Sequence, residues 1–373
     1  MKVALKDSVW ERSGETLIVM CDPVVQIELV DPEEHVETLL SVLSAGPLTV
    51  PQLRRRLIDH GIEVSMSELR QVLADLDSLR LLTDPEGQSL GDPADDERFH
   101  SNLFFFDLFS TMGYSRAAMQ ERLLGAHVLQ LGTGGVGSSV LQHLAGLGIG
   151  RITLLDFDLV EPRNFARQYL YRRADIGSPK VRRAEHWLQA FDPRVHVEAV
   201  EQRVTSPRDV TALLADVDVV SAAIDSPKEV DGWVNEACME ASVPFVRGGI
   251  SGTRLRYYSV DPGKSPCLAC AQRMDDEIIA GAQADAAAWR LSGRLPSVNR
   301  AIGPVAGLLG SMVAFEILRY LIRYEPPHAA GAYVTWDAAD HLQQKHMSWT
   351  PDPSCRLCRD ARERHARPLA VSQ

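Results

Sequence analysis

Residues 128–137 read VLQLGTGGVG, an apolar strand that runs straight into a loop holding Gly132, Gly134, Gly135 and Gly137. A helix-like segment, SSVLQHLAGLGI (138–149), follows, and a second apolar strand closes on LLDFD with acids at Asp156 and Asp158. Strand, glycine loop, helix, strand and an acid about 20 residues past the glycines make a nucleotide-binding βαβ unit. One glycine makes the tight turn, another admits a phosphate close to the backbone, and another lets helix and strand approach. The helix N-terminus then offers unpaired N–H groups and partial positive charge to an anion. Asp156 stands where a carboxylate accepts hydrogen bonds from ribose hydroxyls. Taken alone, such glycines also occur in ordinary tight turns, and the motif would make a dinucleotide the default ligand.

The residues after the second strand argue for a triphosphate instead. Residues 161–168 read EPRNFARQ, and GSPK ends at Lys180. Arg and Lys beside a glycine loop are natural partners of phosphate oxygens. For any one of these residues a solvated basic face is the simpler account. Yet Asn164, Arg167, Gln168 and Lys180 all lie between two strands of one βαβαβ unit, near the strand ends where ligands bind in such sheets. A further apolar run, VDVVSAAID (217–225), terminates at Asp225. A carboxylate there suits Mg²⁺, while Asp225-Ser226-Pro227 also reads as a helix start, and the two readings are compatible. The Gly263-Lys264-Ser265 triplet is no phosphate loop, because Tyr258 stands where the earlier glycine belongs and Pro266 follows.

GTGGVG, LLDFD, VEPRNFARQ, GSPK and AAID, in this order and spacing, resemble the E1-like adenylating superfamily across roughly residues 98–358. The resemblance implies adenylation of a carboxyl terminus by Mg·ATP. By position it gives Asp156 the ribose and Arg167 and Lys180 the phosphates. Asn164 and Gln168 shape the pocket, with the four glycines and Asp158 counted among its nucleotide-binding residues. Asp225 would bind Mg²⁺. Such residue types suit the chemistry: a carboxylate must attack the α-phosphorus and displace pyrophosphate, so positive groups must offset repulsion between two anions.

Six cysteines are present, and four form the pairs Cys267–Cys270 and Cys355–Cys358, each CxxC. Two such knuckles can close a tetrahedral Cys₄ zinc site, here structural because it leaves no open position. Two redox pairs or two disulfides fit less well, since nothing marks the chain as secreted and neither pair opens a thioredoxin-like helix. Cys238, in an amphipathic helical pattern, suits burial as a small apolar side chain, and Cys21 lies near the N-terminus in an apolar strand. The polar segment 271–303, read as a lid or a connecting helix, has no cysteine, which argues against a thioester-forming conjugation enzyme.

At 373 residues, 45% hydrophobic and 24% charged, the chain suits one large globular domain plus a small one. It shows no signal peptide and no apolar run that reads as long enough to span a bilayer, so a cytoplasmic location is expected. The expected organisation is residues 1–84 as a winged-helix-like domain, 85–97 as an Asp-, Gly- and Pro-rich linker, and 98–373 as the doubly wound, Rossmann-like α/β adenylation domain. The first domain opens with β-like runs (ETLIVM, VVQIEL) and continues with three helical patterns, two of them capped by Thr49 and Ser65. Residues 1–90 hold 8 Lys and Arg against 16 Asp and Glu, a balance of −8, and the whole chain carries −11. A DNA reader needs a basic footprint, so nucleic acid is excluded as the main partner. An acidic module with a free strand edge can instead receive a peptide by strand addition, or serve as a dimerisation appendage.

A winged-helix-like module ahead of an E1-like domain resembles the MccB-type enzymes of microcin C biosynthesis. The similarity extends to RFHSNLFFFDLFSTMGYSRAAMQERLLGAHVLQLG (98–132), WVNEAC and SVNRAIGPVAGLLGSMVAFEILRYL (297–321). It implies a homodimer that adenylates the C-terminus of a short ribosomal precursor peptide, using ATP, with CTP an open alternative. The small-residue-rich apolar run at 303–321 reads as a buried helix, in the core or at a two-fold contact. One departure stands out: many relatives carry a second arginine, which reaches a phosphate in the partner subunit's site, where this chain has Ser101, so that either Arg98, or Arg116 or Arg163, substitutes or the phosphate grip is weaker. The alternative within the superfamily is a MoeB- or ThiF-like activator of a ubiquitin-fold sulfur carrier.

Overall fold

The computed structural model describes residues 2–281 and 299–366. Most of the polar segment read as a lid or connector therefore lies outside the described residues; its start belongs to the helix Leu268–Gly281. By compactness the chain divides into Met1–Arg122 and Leu123–Gln373. Residues 98–122, grouped on sequence with the second domain, fall in the first unit.

The first unit holds β1 (Lys2–Leu5), β2 (Val9–Ser13), β3 (Thr16–Met20), β4 (Ile27–Val30), β5 (Leu48–Thr49) and β6 (Leu82–Thr83) in two three-stranded sheets, ordered β5-β1-β6 and β2-β3-β4. Three helices, His35–Ser44, Val50–Asp59 and Met66–Ser78, set buried leucines at helical spacing: Leu39 and Leu43, Leu53 and Leu57, Leu69, Leu73 and Leu76. The second and third helices start where the caps predict. Thr49 and Ser65 each accept the N–H of the third helical residue, and Gln52 and Glu68 return the bond to the cap N–H. The stretch 85–97 carries local structure, because its acids are spent on backbone N–H groups. Asp92 caps the short helix Pro93–Arg98, and Asp96 accepts from Leu90 N–H at 2.8 Å. Lys6, buried, donates to the carbonyls of Asp107 and Ser110, tying β1 to the end of the helix His100–Asp107.

The second unit is built on one eight-stranded sheet. Its strands are β7 (His127–Leu131), β8 (Arg151–Leu155), β9 (His196–Val200), β10 (Val219–Ala222), β11 (Phe245–Ser251), β12 (Arg254–Val260), β13 (Ala332–Asp337) and β14 (Gln343–Ser348). The order is β14-β13-β12-β11-β10-β7-β8-β9. The half from β9 to β11 is parallel and the half from β11 to β14 antiparallel. The chain winds outward from β7 to β9, then returns to β10 on the other side, which puts the topological switch point between β7 and β10. This is the doubly wound domain the glycine motif predicts. The central strands of the parallel half read as continuous apolar runs because both faces are covered, and β7 and β10 are buried along their whole length.

The helix Gly303–Ile322 corrects one expectation. It is long and apolar enough to cross a membrane by length and composition. In the fold it is a core helix, packed on the helix Gly135–Leu147 and on β11. It buries Glu316 completely, whose carboxylate accepts from Ser259 Oγ at 2.7 Å and from the N–H groups of His328 and Ala329 at 2.9 and 2.8 Å.

Asp31 is the polar anchor of the first unit. It accepts the N–H groups of Val36 and Glu37, each at 3.0 Å, and the Arg12 guanidinium at 2.7 Å. Burial pushes its carboxyl up, but those three donors more than offset it and leave it below the ordinary carboxylate range. A depressed carboxylate contributes stability that is complete above its unfolded value and is lost as pH falls through the folded one. Asp31→Asn should therefore lower the stability of this unit by about 1–3 kcal/mol at pH 7. The gap from wild type should close below about pH 4, as chemical denaturation at both pH values will measure.

Candidate nucleotide site and four-cysteine cluster

The glycine loop forms at the end of β7 because two close approaches forbid a side chain. Gly132 adopts φ +85°, and a Cβ there would stand 2.6 Å from the Ala223 carbonyl oxygen just past β10. A Cβ at Gly137 would stand 2.0 Å from the carbonyl oxygen of Gly132. The loop therefore lies against the departing end of β10, where Asp225 follows, and the helix Gly135–Leu147 starts at the switch point. A helix start here directs N–H groups into the crevice where ligands of such sheets bind.

Most of the residues singled out on sequence gather around this loop. Asp156 is buried at the end of β8. Its Oδ2 accepts the N–H and hydroxyl of Thr133 at 2.7 and 2.8 Å, and its Oδ1 accepts Asp158 N–H at 2.8 Å. It thus braces the glycine loop, with lone-pair capacity for about one more donor. Lys180 is buried at the start of the helix Lys180–Phe191 and pairs with Asp158 at 2.8 Å. Asn164 is buried and receives Glu161 N–H at 2.9 Å, which fixes the turn carrying EPRNFARQ. Arg167 packs its side chain over the loop, with Cδ 3.0 Å from where a Gly135 Cβ would be. Gln168 is buried near Gly134, and its Oε1 has no hydrogen-bond partner among the described residues. Asp225 is exposed and accepts no hydrogen bond among the described residues, leaving its carboxylate open to a cation. The helix after it begins at Val230 with Glu229 at the cap, so Asp225 is not that helix's N-cap. The Ser226–Pro227 bond is cis.

Two residues of this site escaped the sequence reading. Tyr171 donates to the Thr133 carbonyl at 2.7 Å and lies 2.9 Å from its hydroxyl. Its burial pushes the phenol far up, so it stays a donor. Thr133 itself links Asp156, Tyr171 and the loop. Its place inside GTGG was the available signal; Tyr171 had none, because its role depends on a contact 38 residues away. Of the arginines weighed against Ser101, Arg98 stacks on Phe99 and Arg116 on Phe104, and Arg116 donates to the Gln88 carbonyl at 2.9 Å. Arg163 is exposed and paired with Glu161.

The four cysteines of the two CxxC pairs converge. Their sulfur atoms lie within 4.8 Å of one another, with Cys267–Cys355 at 3.7 Å and Cys270–Cys358 at 3.6 Å. A tetrahedral zinc with Zn–S near 2.3 Å requires sulfur spacings of about 3.8 Å, so this donor set fits zinc. The cluster joins the start of the helix Leu268–Gly281 to the helix Arg356–Ala366. A hydrogen bond from Cys358 draws the Cys267 thiol well below its ordinary value, and the same contact pushes the Cys358 thiol up. Cys238 is fully buried in the core and its thiol is pushed up by burial alone.

The doubly wound sheet and the glycine loop at its switch point define a nucleotide-binding α/β protein. The chain belongs to the ThiF family, whose model matches residues 102–357. It is 32% identical over 245 residues to a molybdopterin-synthase adenylyltransferase from Salmonella typhimurium, a match covering 64% of this chain and 89% of the relative. It is also 32% identical over 246 residues to a sulfur carrier protein adenylyltransferase from Thermus thermophilus, covering 65% and 85%. Among solved structures, E. coli MccB with ATP superposes with a TM-score of 0.72 at 19% identity, over 96% of this chain and all of that one. The PaaA structure superposes with 0.63 at 22% identity, over 81% and 96%. The chain is an adenylating nucleotidyltransferase of the E1-like kind.

Cys267→Ser should reduce bound zinc from about one per chain to near zero and lower Tm by about 5 °C or more. Metal analysis together with calorimetry will test this, and full stability at zero zinc content would refute the structural assignment.

Proposed function

We propose that this enzyme adenylates the C-terminal carboxylate of a short ribosomally made peptide, acting as a cytoplasmic homodimer. One observation carries the reading. The fold match to MccB spans 96% of the chain, the N-terminal unit included, while the sequence alignments to the adenylyltransferase relatives cover 64% and 65% of it. Another of the MccB structures holds MccA. The N-terminal unit suits a peptide partner: β4 lies at the edge of its sheet, with Val30 and the preceding Val24 and Val25 exposed beside it. An edge strand flanked by apolar side chains is the substrate of strand addition.

In this reading the peptide carboxylate attacks the α-phosphorus of ATP. A new C–O–P linkage forms, the bond to the β-phosphate breaks, and pyrophosphate leaves. Arg167 and Lys180 hold phosphate oxygens, the helix start at Gly135 adds N–H donors, and Asp156 keeps the loop in shape for the ribose. Mg²⁺ would be held by Asp225 and would supply neutralisation of phosphate charge. Asn164 and Gln168 line the pocket, and the unpartnered Gln168 Oε1 is an acceptor for a nucleotide amino or hydroxyl group.

A second reading, activation of a ubiquitin-fold sulfur carrier, is favoured by the 32% identity to a sulfur carrier protein adenylyltransferase. Mass spectrometry separates the two. Purified enzyme with Mg·ATP and peptides encoded beside its gene should yield a peptide heavier by a nucleotide monophosphate, with pyrophosphate released. Turnover only with a ubiquitin-fold protein ending in Gly-Gly would select the second reading. In either assay Asp225→Ala should lower the rate at least about 100-fold with Tm unchanged.

A further inference from the structure

The geometry points to Arg247 as a positioning residue of the adenylation site, one that sets where the Asp225 carboxylate lies. The inference rests on Asp225 being the Mg²⁺ ligand of that site. Strand β10 ends at Ala222, and Arg247 of β11 is its register partner in the parallel pair. From Ala222 the chain leaves the sheet, passes Asp225 and the cis Ser226–Pro227 bond, and enters the helix Val230–Ala241. Asp231 lies in the first turn of that helix, and Arg247 Nε donates to its Oδ1 at 2.7 Å. Arg247 Nη1 donates to the Gly248 carbonyl, which fixes the guanidinium plane. One side chain thus stands beside the point where the Asp225 loop departs and grips the turn where it ends.

Asp225 needs such a device. It accepts no hydrogen bond among the described residues, so its own contacts do not aim it, and the two loop ends must. The Arg247 side chain is 12% exposed against 34% for Asp231. A buried guanidinium with a charged partner is a rigid anchor, because removing either partner leaves an uncompensated charge. Burial pushes Arg247 down, but the paired Asp231 carboxylate holds it above its ordinary value. The planar fork matters: a lysine retains the charge but not the fixed pair of bonds to Asp231 and Gly248.

The test uses full-length, zinc-loaded protein and reads metal binding apart from turnover. Mn²⁺, a spectroscopic stand-in for Mg²⁺, is titrated by electron paramagnetic resonance in the presence of an ATP analogue carrying a methylene between the α- and β-phosphorus. Tm and zinc content are measured alongside. Arg247→Lys and Asp231→Asn should each weaken Mn²⁺ retention in the nucleotide complex about 10-fold or more. Asp225→Ala should abolish the site. Should Arg247→Lys fail to fold, Asp231→Asn decides, since it keeps the buried arginine and alters a partly exposed residue. Wild-type Mn²⁺ affinity in Asp231→Asn, with the site lost in Asp225→Ala, overturns the role of Arg247 and leaves the Asp225 reading standing. Wild-type affinity in Asp225→Ala overturns the Asp225 reading, and the role of Arg247 falls with it.

Discussion

The second unit depends on a steric constraint at the end of β7. The carbonyl oxygen of Gly132 must pass where a side chain at residue 137 would be, and Gly132 itself must pass the carbonyl of Ala223. Only a chain without Cβ atoms at these two positions can turn so tightly from strand to helix. The turn then has to be held. Asp156 does this from β8 by binding both the N–H and the hydroxyl of Thr133, and Tyr171 closes the same residue from the other side. The acid expected to meet the ribose is therefore also the brace of the loop.

The four-cysteine cluster answers a different problem. The antiparallel half of the sheet ends in β14, whose six residues are all exposed, and beyond it Trp349 and Ala361 return the chain to the core. Cys355 and Cys358 bring the helix Arg356–Ala366 onto the start of the helix Leu268–Gly281, across 88 residues of sequence. The same helix adds Arg364, which donates to the Met239 carbonyl at 2.6 Å. Cross-links between distant segments stabilise most where a small apolar contact cannot.

Several acids of the first unit are held by local backbone donors. Asp31 receives two backbone N–H groups and Arg12, Glu68 closes a capping box, and Asp92 and Asp96 bind backbone N–H groups of Ala94 and Leu90. Composition alone reads that stretch as a linker, because it counts polar residues without seeing which backbone donors they satisfy.

The sequence by itself determined the local parts. The glycine spacing and the caps at Thr49 and Ser65 are short-range rules of sterics and hydrogen bonding, and the loop and the two helix starts appear where they place them, whereas the strand read to Asp225 ends at Ala222. The long apolar run at 303–322 was legible as a buried helix, but its packing on the Gly135–Leu147 helix was not, since composition does not name the partner. Tertiary structure decided the rest. That Asp156 braces Thr133, that Asp225 is not a helix cap and that Tyr171 and Arg247 belong to the site follow from contacts between segments far apart in the chain. Their partners are chosen by the sheet order, and sheet order is a property of the whole core rather than of any segment.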